Sequence, residues 1–199
     1  MKASKIAFLK PARERIDVMT DEGLVAACGM GDEAALGEIF GRFHRDVYRF
    51  LARMSGCDEK DLDDLVQETF IRVQRGARRF AARSSVKGWI LGVASNVVKN
   101  HFRTEVRRKA TLRAFGDARK GTTGTAPSEL AETRAQIARM RDALDGLSHD
   151  HREVFIMCAL DGVSGADAAA VLGVRPGTVW RRLHEARREL TEAMGRKQS

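Results

Sequence analysis

The apolar residues of this chain recur at intervals of three and four, and a chain patterned this way folds as packed helices. The clearest stripe runs through Leu36, Phe40, Phe43, Val47, Phe50 and Leu51. A second runs through Leu62, Leu65, Val66, Thr69 and Val73, and a third through Val86, Trp89, Ile90, Val93 and Val97. Nowhere do apolar and polar residues alternate as a half-buried strand requires. Three prolines and one tyrosine in 199 residues leave too few turn residues and β-formers for a many-stranded sheet. The expected fold class is all-α. No apolar run approaches the length of a membrane span. The stretch from Met1 to Ile16 is basic, without a long apolar core or a small-residue cleavage site, so no signal peptide is expected. Three widely spaced cysteines make no disulfide framework, and the cytoplasm is the expected compartment.

Capping residues divide the stripes into elements. Thr20-Asp21-Glu22 opens a first helix, with its acids near the positive helix end. Gly31-Asp32-Glu33 breaks the chain before the second, and Ser55-Gly56-Cys57 ends it. A third helix is predicted from about Glu59 to Arg78. Ser84-Ser85 caps a fourth after a short loop. Residues 104–130 then lose periodicity and pass into Gly121-Thr122-Thr123-Gly124-Thr125-Ala126-Pro127, too polar and small to bury apolar surface. This is read as a flexible linker between two small helical domains. The division is 1–16 as a basic extension, 17–107 as the first domain, 108–130 as the linker and 131–199 as the second domain. The second domain resumes through Leu130, Ile137, Met140, Leu144 and Leu147, followed by a short apolar helix from Val154 to Leu160.

The charge is as divided as the chain. Residues 17–70 carry five basic against thirteen acidic residues, a net of −8, and residues 71–113 carry twelve against one, a net of +11. Two adjacent blocks of opposite sign point to two partners of opposite character. A basic stripe this dense is the electrostatic footprint of nucleic-acid binding.

The C-terminal pattern sharpens that reading. Ser164-Gly165-Ala166-Asp167 is a capping box, Ala168 to Leu172 is a compact helix of small residues, and Gly173 closes it. Pro176 suits the first turn of a new helix. Val179, Leu183, Ala186 and Leu190 mark its inward face. Two short helices around a glycine turn make a helix-turn-helix. The outward face of the second helix holds Thr178, Arg181, His184, Glu185 and Arg188, side chains able to read base edges and phosphates in a major groove.

These residues carry a resemblance. Gly173-Val174-Arg175-Pro176-Gly177-Thr178-Val179 with Arg182 to Arg187, and Leu147 to Phe155 before it, resemble region 4 of the extracytoplasmic-function sigma factors of bacterial RNA polymerase. Asp61 to Phe70 resembles their region 2.2. Trp89-Ile90, Ala94-Ser95-Asn96 and His101-Phe102-Arg103 resemble regions 2.3 and 2.4. The resemblance spans roughly 20–107 and 131–195. It implies a promoter-specificity subunit whose partners are core RNA polymerase and promoter DNA, both duplex and melted, with room for an anti-sigma factor. The competing reading is a stand-alone helix-turn-helix regulator. The acidic helix and basic loop argue against it, since such a regulator has no use for a docking face beside a single-strand site.

The candidate residues follow from the helix faces. Opposite the buried side of the third helix lie Asp64, Gln67, Glu68 and Ile71, an apolar centre with a polar rim; the resemblance implies docking on the clamp helices of the largest polymerase subunit. In the basic loop, Arg79, Phe80 and Arg83 combine charge with a stacking ring, which suits a splayed base. On the fourth helix Gly92, Asn96, Lys99 and Arg103 form an outward stripe, with Gly92 expected to admit a strand closely. The resemblance assigns these to the minus-ten element, and Thr178, Arg181, His184 and Arg188 to the minus-thirty-five element. Trp180 is expected either against the preceding helix or along the DNA backbone. No nucleophile elbow, paired-carboxylate arrangement or Gly-rich phosphate loop occurs, so no enzyme and no cofactor is expected. No metal is expected either: His149, His151 and Cys158 match no tight ligand spacing, and Asp61, Asp63 and Asp64 lack the glycine turn of a calcium loop.

Overall fold

The computed structural model describes residues 18–114 and 138–195, with side chains over 18–104 and 138–195. The basic extension, most of the linker, and Leu130 and Ile137 lie outside the described residues. Within them every regular element is helical, as the periodicity requires.

Four helices build the first region. Helix α1, Asp21–Gly29, starts at Thr20, whose hydroxyl oxygen accepts from the Gly23 amide at 3.2 Å. Helix α2, Glu33–Ser55, starts at Asp32, whose carboxylate accepts from the amides of Ala34 and Ala35. Helix α3, Glu59–Gly76, is capped by Asp58, which accepts from the Asp61 amide at 3.0 Å. A single 3-10 turn, Ala77–Arg79, replaces the last turn expected of α3. Helix α4, Val86–Ala114, runs past the end expected from composition, because Val106 to Ala114 holds neither glycine nor proline.

The second region begins with a helical stretch over 138–145. Helix α5, His149–Phe155, follows its Ser148 cap, and its register widens into a π-helical segment, Ile156–Leu160. Helix α6, Gly165–Leu172, ends at Gly173, which takes the left-handed conformation with φ 66°. Helix α7, Pro176–Gly195, completes the helix-turn-helix.

One core joins the two regions. Leu24, Ile39, Val47, Phe50, Leu65, Val73 and Ile90 belong to the same apolar cluster as Val154, Ile156, Met157, Ala168, Val179 and Leu183. A satellite cluster of Ala143, Leu144, Leu147, Ala186 and Leu190 ties α7 to the stretch before α5. Helix α4 is the shared element, packing on α2 and α3 and also on α6. It therefore buries Leu91, Ala94, Ser95 and Val98 in addition to Val86, Ile90 and Val97. Its sequence shows two apolar sides because it has two neighbours. Polar contacts cross the same seam. The Arg53 guanidinium meets the Asp161 carboxylate at 2.8 Å, and Arg152 donates to the Met54 carbonyl at 3.2 Å.

Candidate nucleic-acid interface

The basic loop is anchored before it is exposed. Arg78 turns back and its Nε donates to the Gly29 carbonyl at 2.6 Å, fastening the 3-10 turn to α1. Arg79 and Arg83 remain exposed on either side of Phe80. Ala82 holds φ 49°, the one non-glycine among the described residues with positive φ; such strain persists only where the surroundings over-determine the loop. Ser85 accepts from the Gly88 amide at 3.2 Å and starts α4. Phe80 is half-buried and rests on Trp89, ring centroids 5.0 Å apart.

Arg79, Phe80 and Arg83 share one cavity of about 420 Å³ with Trp89, Val93 and Asn96. The loop and the first turns of the helix that follows it thus converge on one space, which Lys99 and Arg103 do not line. Trp89 and Val93, expected inward, are only half-buried because they line this cavity. Its far wall is unexpected: Ala170 and Val171 of α6 close it.

Two residues of the outward stripe are engaged inside the molecule. Gly92 is buried, and a Cβ there would lie 2.9 Å from the Cβ of Val171. Its missing side chain admits α6 where the sequence reading admitted a DNA strand. Lys99 donates to both carboxylate oxygens of Glu153, at 3.0 and 2.9 Å, and the Ser95 hydroxyl donates to Oε1. Glu153 is 1% exposed. A carboxylate so deeply buried persists because an ammonium and a hydroxyl satisfy it. Asn96 and Arg103 are exposed.

The acidic helix turns Leu62, Leu65, Val66, Thr69 and Val73 inward as its period predicts. Asp64 and Gln67 are exposed, while Glu68 is half-buried and accepts from Arg72 at 2.6 Å. Ile71 is half-buried rather than projecting alone. With Leu36, Phe40 and Phe70 it lines a shallow apolar cavity of about 400 Å³, rimmed by Asp63, Gln67 and Gln74. Phe40 corrects the reading of α2. It is 43% exposed, stacked on His44 and tilted against Phe70, and Ile39 takes the core position. The signal was present in the sequence, because Ala35 and Ile39, one residue before Leu36 and Phe40, continue to Phe43 and Val47 at a strict spacing of four.

In the helix-turn-helix, Val179, Leu183, Ala186 and Leu190 are all buried, so the face of α7 is as expected. Arg181 and His184 are exposed and Thr178 is half-buried. Arg181 pairs with Glu185 at 3.3 Å and Arg188 with Glu192 at 3.8 Å, each one turn along the helix. Trp180 is 58% exposed, yet one edge lies on Gly165, where a Cβ would come within 2.8 Å of its ring. The indole thus packs on the start of α6 and still presents a face to solvent. His151 is held between two carboxylates of α7, Glu185 at 3.0 Å and Glu189 at 2.9 Å, and so fixes α5 to α7.

Comparison with known proteins agrees with this division. The family model for Sigma-70 region 2 matches residues 39–108, and that for Sigma-70, region 4 matches residues 137–190. A probable RNA polymerase sigma-C factor of Mycobacterium bovis is 34% identical over 170 residues, covering 82% of this chain and 85% of the relative. The ECF RNA polymerase sigma factor SigM of Mycobacterium tuberculosis is 31% identical over 183 residues, covering 88% and 85%. Among solved structures, CnrH in complex with the cytosolic domain of CnrY superposes with a TM-score of 0.65 at 26% identity, over 88% of this chain and 97% of that one. The two matched regions stand in the same order as the two halves of the fold, and relatives of this closeness span both. The chain belongs to the extracytoplasmic-function sigma factors, which bind core RNA polymerase, recognise promoter DNA and direct the initiation of transcription.

Proposed function

We propose how this sigma factor divides its work among its residues. Residues 17–107 dock on the polymerase and take the minus-ten element, residues 131–199 take the minus-thirty-five element, and 108–130 link them behind the basic extension 1–16. The docking face is Asp64, Gln67, Glu68 and Ile71. An apolar groove with an acidic and amide rim suits a helix presenting a few apolar side chains among basic ones. Arg79, Phe80, Arg83, Asn96, Lys99 and Arg103 hold the minus-ten strand, and Thr178, Arg181, His184 and Arg188 read the minus-thirty-five element. The chain acts in the cytoplasm and catalyses nothing itself. The relative CnrH was solved with the cytosolic domain of CnrY, which supports a regulatory partner of the anti-sigma kind here as well.

The observation that carries this reading is the shared cavity of Arg79, Phe80, Arg83 and Asn96. It offers a ring, an amide and two cations around one space large enough to admit a nucleobase. The wall contributed by Ala170 and Val171, and the Lys99–Glu153 pair, belong to a closed form. For DNA to use Asn96 and Lys99 together, α6 must move away from α4.

The test is initiation with core enzyme on promoter templates. Phe80→Ala and Asn96→Ala should weaken promoter opening by about 1–3 kcal/mol, the worth of a stacked or hydrogen-bonded base. Formation of the closed complex should change little. A template already melted across the minus-ten element should partly rescue Phe80→Ala. If the melted template gives no rescue, Phe80 serves only as the anchor on Trp89.

A further inference from the structure

A second cluster of chemistry-bearing side chains lies on the first region, away from both DNA faces. Cys57 sits in the loop after α2, Asp61 in the first turn of α3 and His101 on α4. One ligand atom from each lies within 4.8 Å of the other two. Cys57 Sγ and His101 Nε2 are 3.4 Å apart. Tetrahedral zinc holds sulfur at about 2.3 Å and imidazole nitrogen at about 2.0–2.1 Å, which sets those two atoms about 3.5 Å apart. The pair already stands at the separation that a shared metal requires.

We propose that Cys57, Asp61 and His101 form a zinc site bracing the first region. The donor set selects the ion. A thiolate and an imidazole are poor ligands for magnesium or calcium, which take oxygen, and good ones for zinc, with the carboxylate completing three donors. Cys57 and His101 are half-buried and Asp61 is exposed, so the fourth position opens to solvent and takes water. On binding, the Cys57 thiol gives its proton to solvent and the thiolate sulfur donates to the metal. Local structure holds the donors in place. Asp58 fixes the start of α3 by accepting from the Asp61 amide, and the Cys57 amide donates to the Ser55 hydroxyl oxygen at 3.3 Å. The metal thereby ties the α2–α3 loop and the start of α3 to α4, where the Cys57–His101 contact already joins loop and helix. Nothing in local sequence spacing announces the site, since His101 lies 44 residues beyond Cys57.

Cobalt titration of the metal-free full-length chain tests this, because thiolate-bound tetrahedral cobalt absorbs strongly. One equivalent should produce a sulfur-to-cobalt charge-transfer band that zinc then displaces. Cys57→Ser should abolish the band. His101→Gln and Asp61→Asn should each weaken binding by at least about tenfold. Cys158→Ser, in the second region, should leave the titration unchanged. Zinc should raise the thermal midpoint of the wild type and not of Cys57→Ser, with circular dichroism confirming that each variant is folded. The proposal is overturned if no charge-transfer band forms. It is equally overturned if the band survives in Cys57→Ser, or if cobalt shows only the weak spectrum of octahedral oxygen ligation.

Discussion

His149 illustrates how one side chain can carry a pH dependence for the whole fold. It stands at the first position of α5, and its Nε2 is buried without a partner. Burial holds its imidazole below the ordinary value of 6.5; the Glu153 and Asp150 carboxylates oppose that shift, while Lys99 and Arg152 add to it. The folded protein thus binds this proton less tightly than the unfolded chain. Its contribution to stability is complete above 6.5 and is lost as pH falls through the lower folded value. The thermal midpoint should therefore decline as pH falls below 6.5, and His149→Gln should flatten that decline. An unchanged slope in the variant would assign the proton elsewhere. At this scale the sequence was legible where a residue's neighbours are close in the chain. The buried set of α3 and the inward set of α7 were read correctly. The internal contacts of Gly92 and Lys99 were not legible, because Val171 and Glu153, which meet them, lie in the other region and no local period encodes a distant partner.

Among the elements, α7 is the most exactly patterned, and its two exposed arginines should behave differently. Arg181 lies on the face opposite Val179 and Leu183, with Glu185 as its resting partner. Arg181→Ala should shift preference at particular base pairs of the minus-thirty-five element, costing about 1–3 kcal/mol where a bidentate contact is lost. Arg188 lies two turns on, beside Glu192. Arg188→Ala should weaken all sequences alike and flatten the salt dependence. Binding of holoenzyme to a panel of minus-thirty-five variants at several salt concentrations separates the two. Reversed behaviour would mean that the helix enters the groove rotated. The elements themselves were legible because several starts carry their own cap, from Thr20 and Asp32 to Ser164. The exceptions have local causes. Phe40 was misplaced because Ile39 offers a competing stripe, and the π-helical widening after Phe155 leaves no mark on an apolar run that fits either register.

For the whole molecule, the seam between the regions is the controlling feature. Glu153→Gln removes the charge that holds Lys99 and should weaken closure by about 1–3 kcal/mol. Free protein should then expand in small-angle scattering and bind a single-stranded minus-ten oligonucleotide more tightly. Wild-type dimensions together with unchanged affinity would show that the seam does not limit access. Two regions were legible from the linker composition, but their packing was not, since it needs Arg53 to meet Asp161 across 108 residues. That seam mixes two kinds of cohesion. Its ion pairs, each with a buried carboxylate, are little screened by added salt, whereas its apolar surface, from Leu91 and Val98 to Val154 and Ile156, is driven together by salting-out anions. Closure should thus change little in moderate chloride and tighten in sulfate of equal ionic strength. The identity of the anion, and not ionic strength alone, becomes a variable of promoter access.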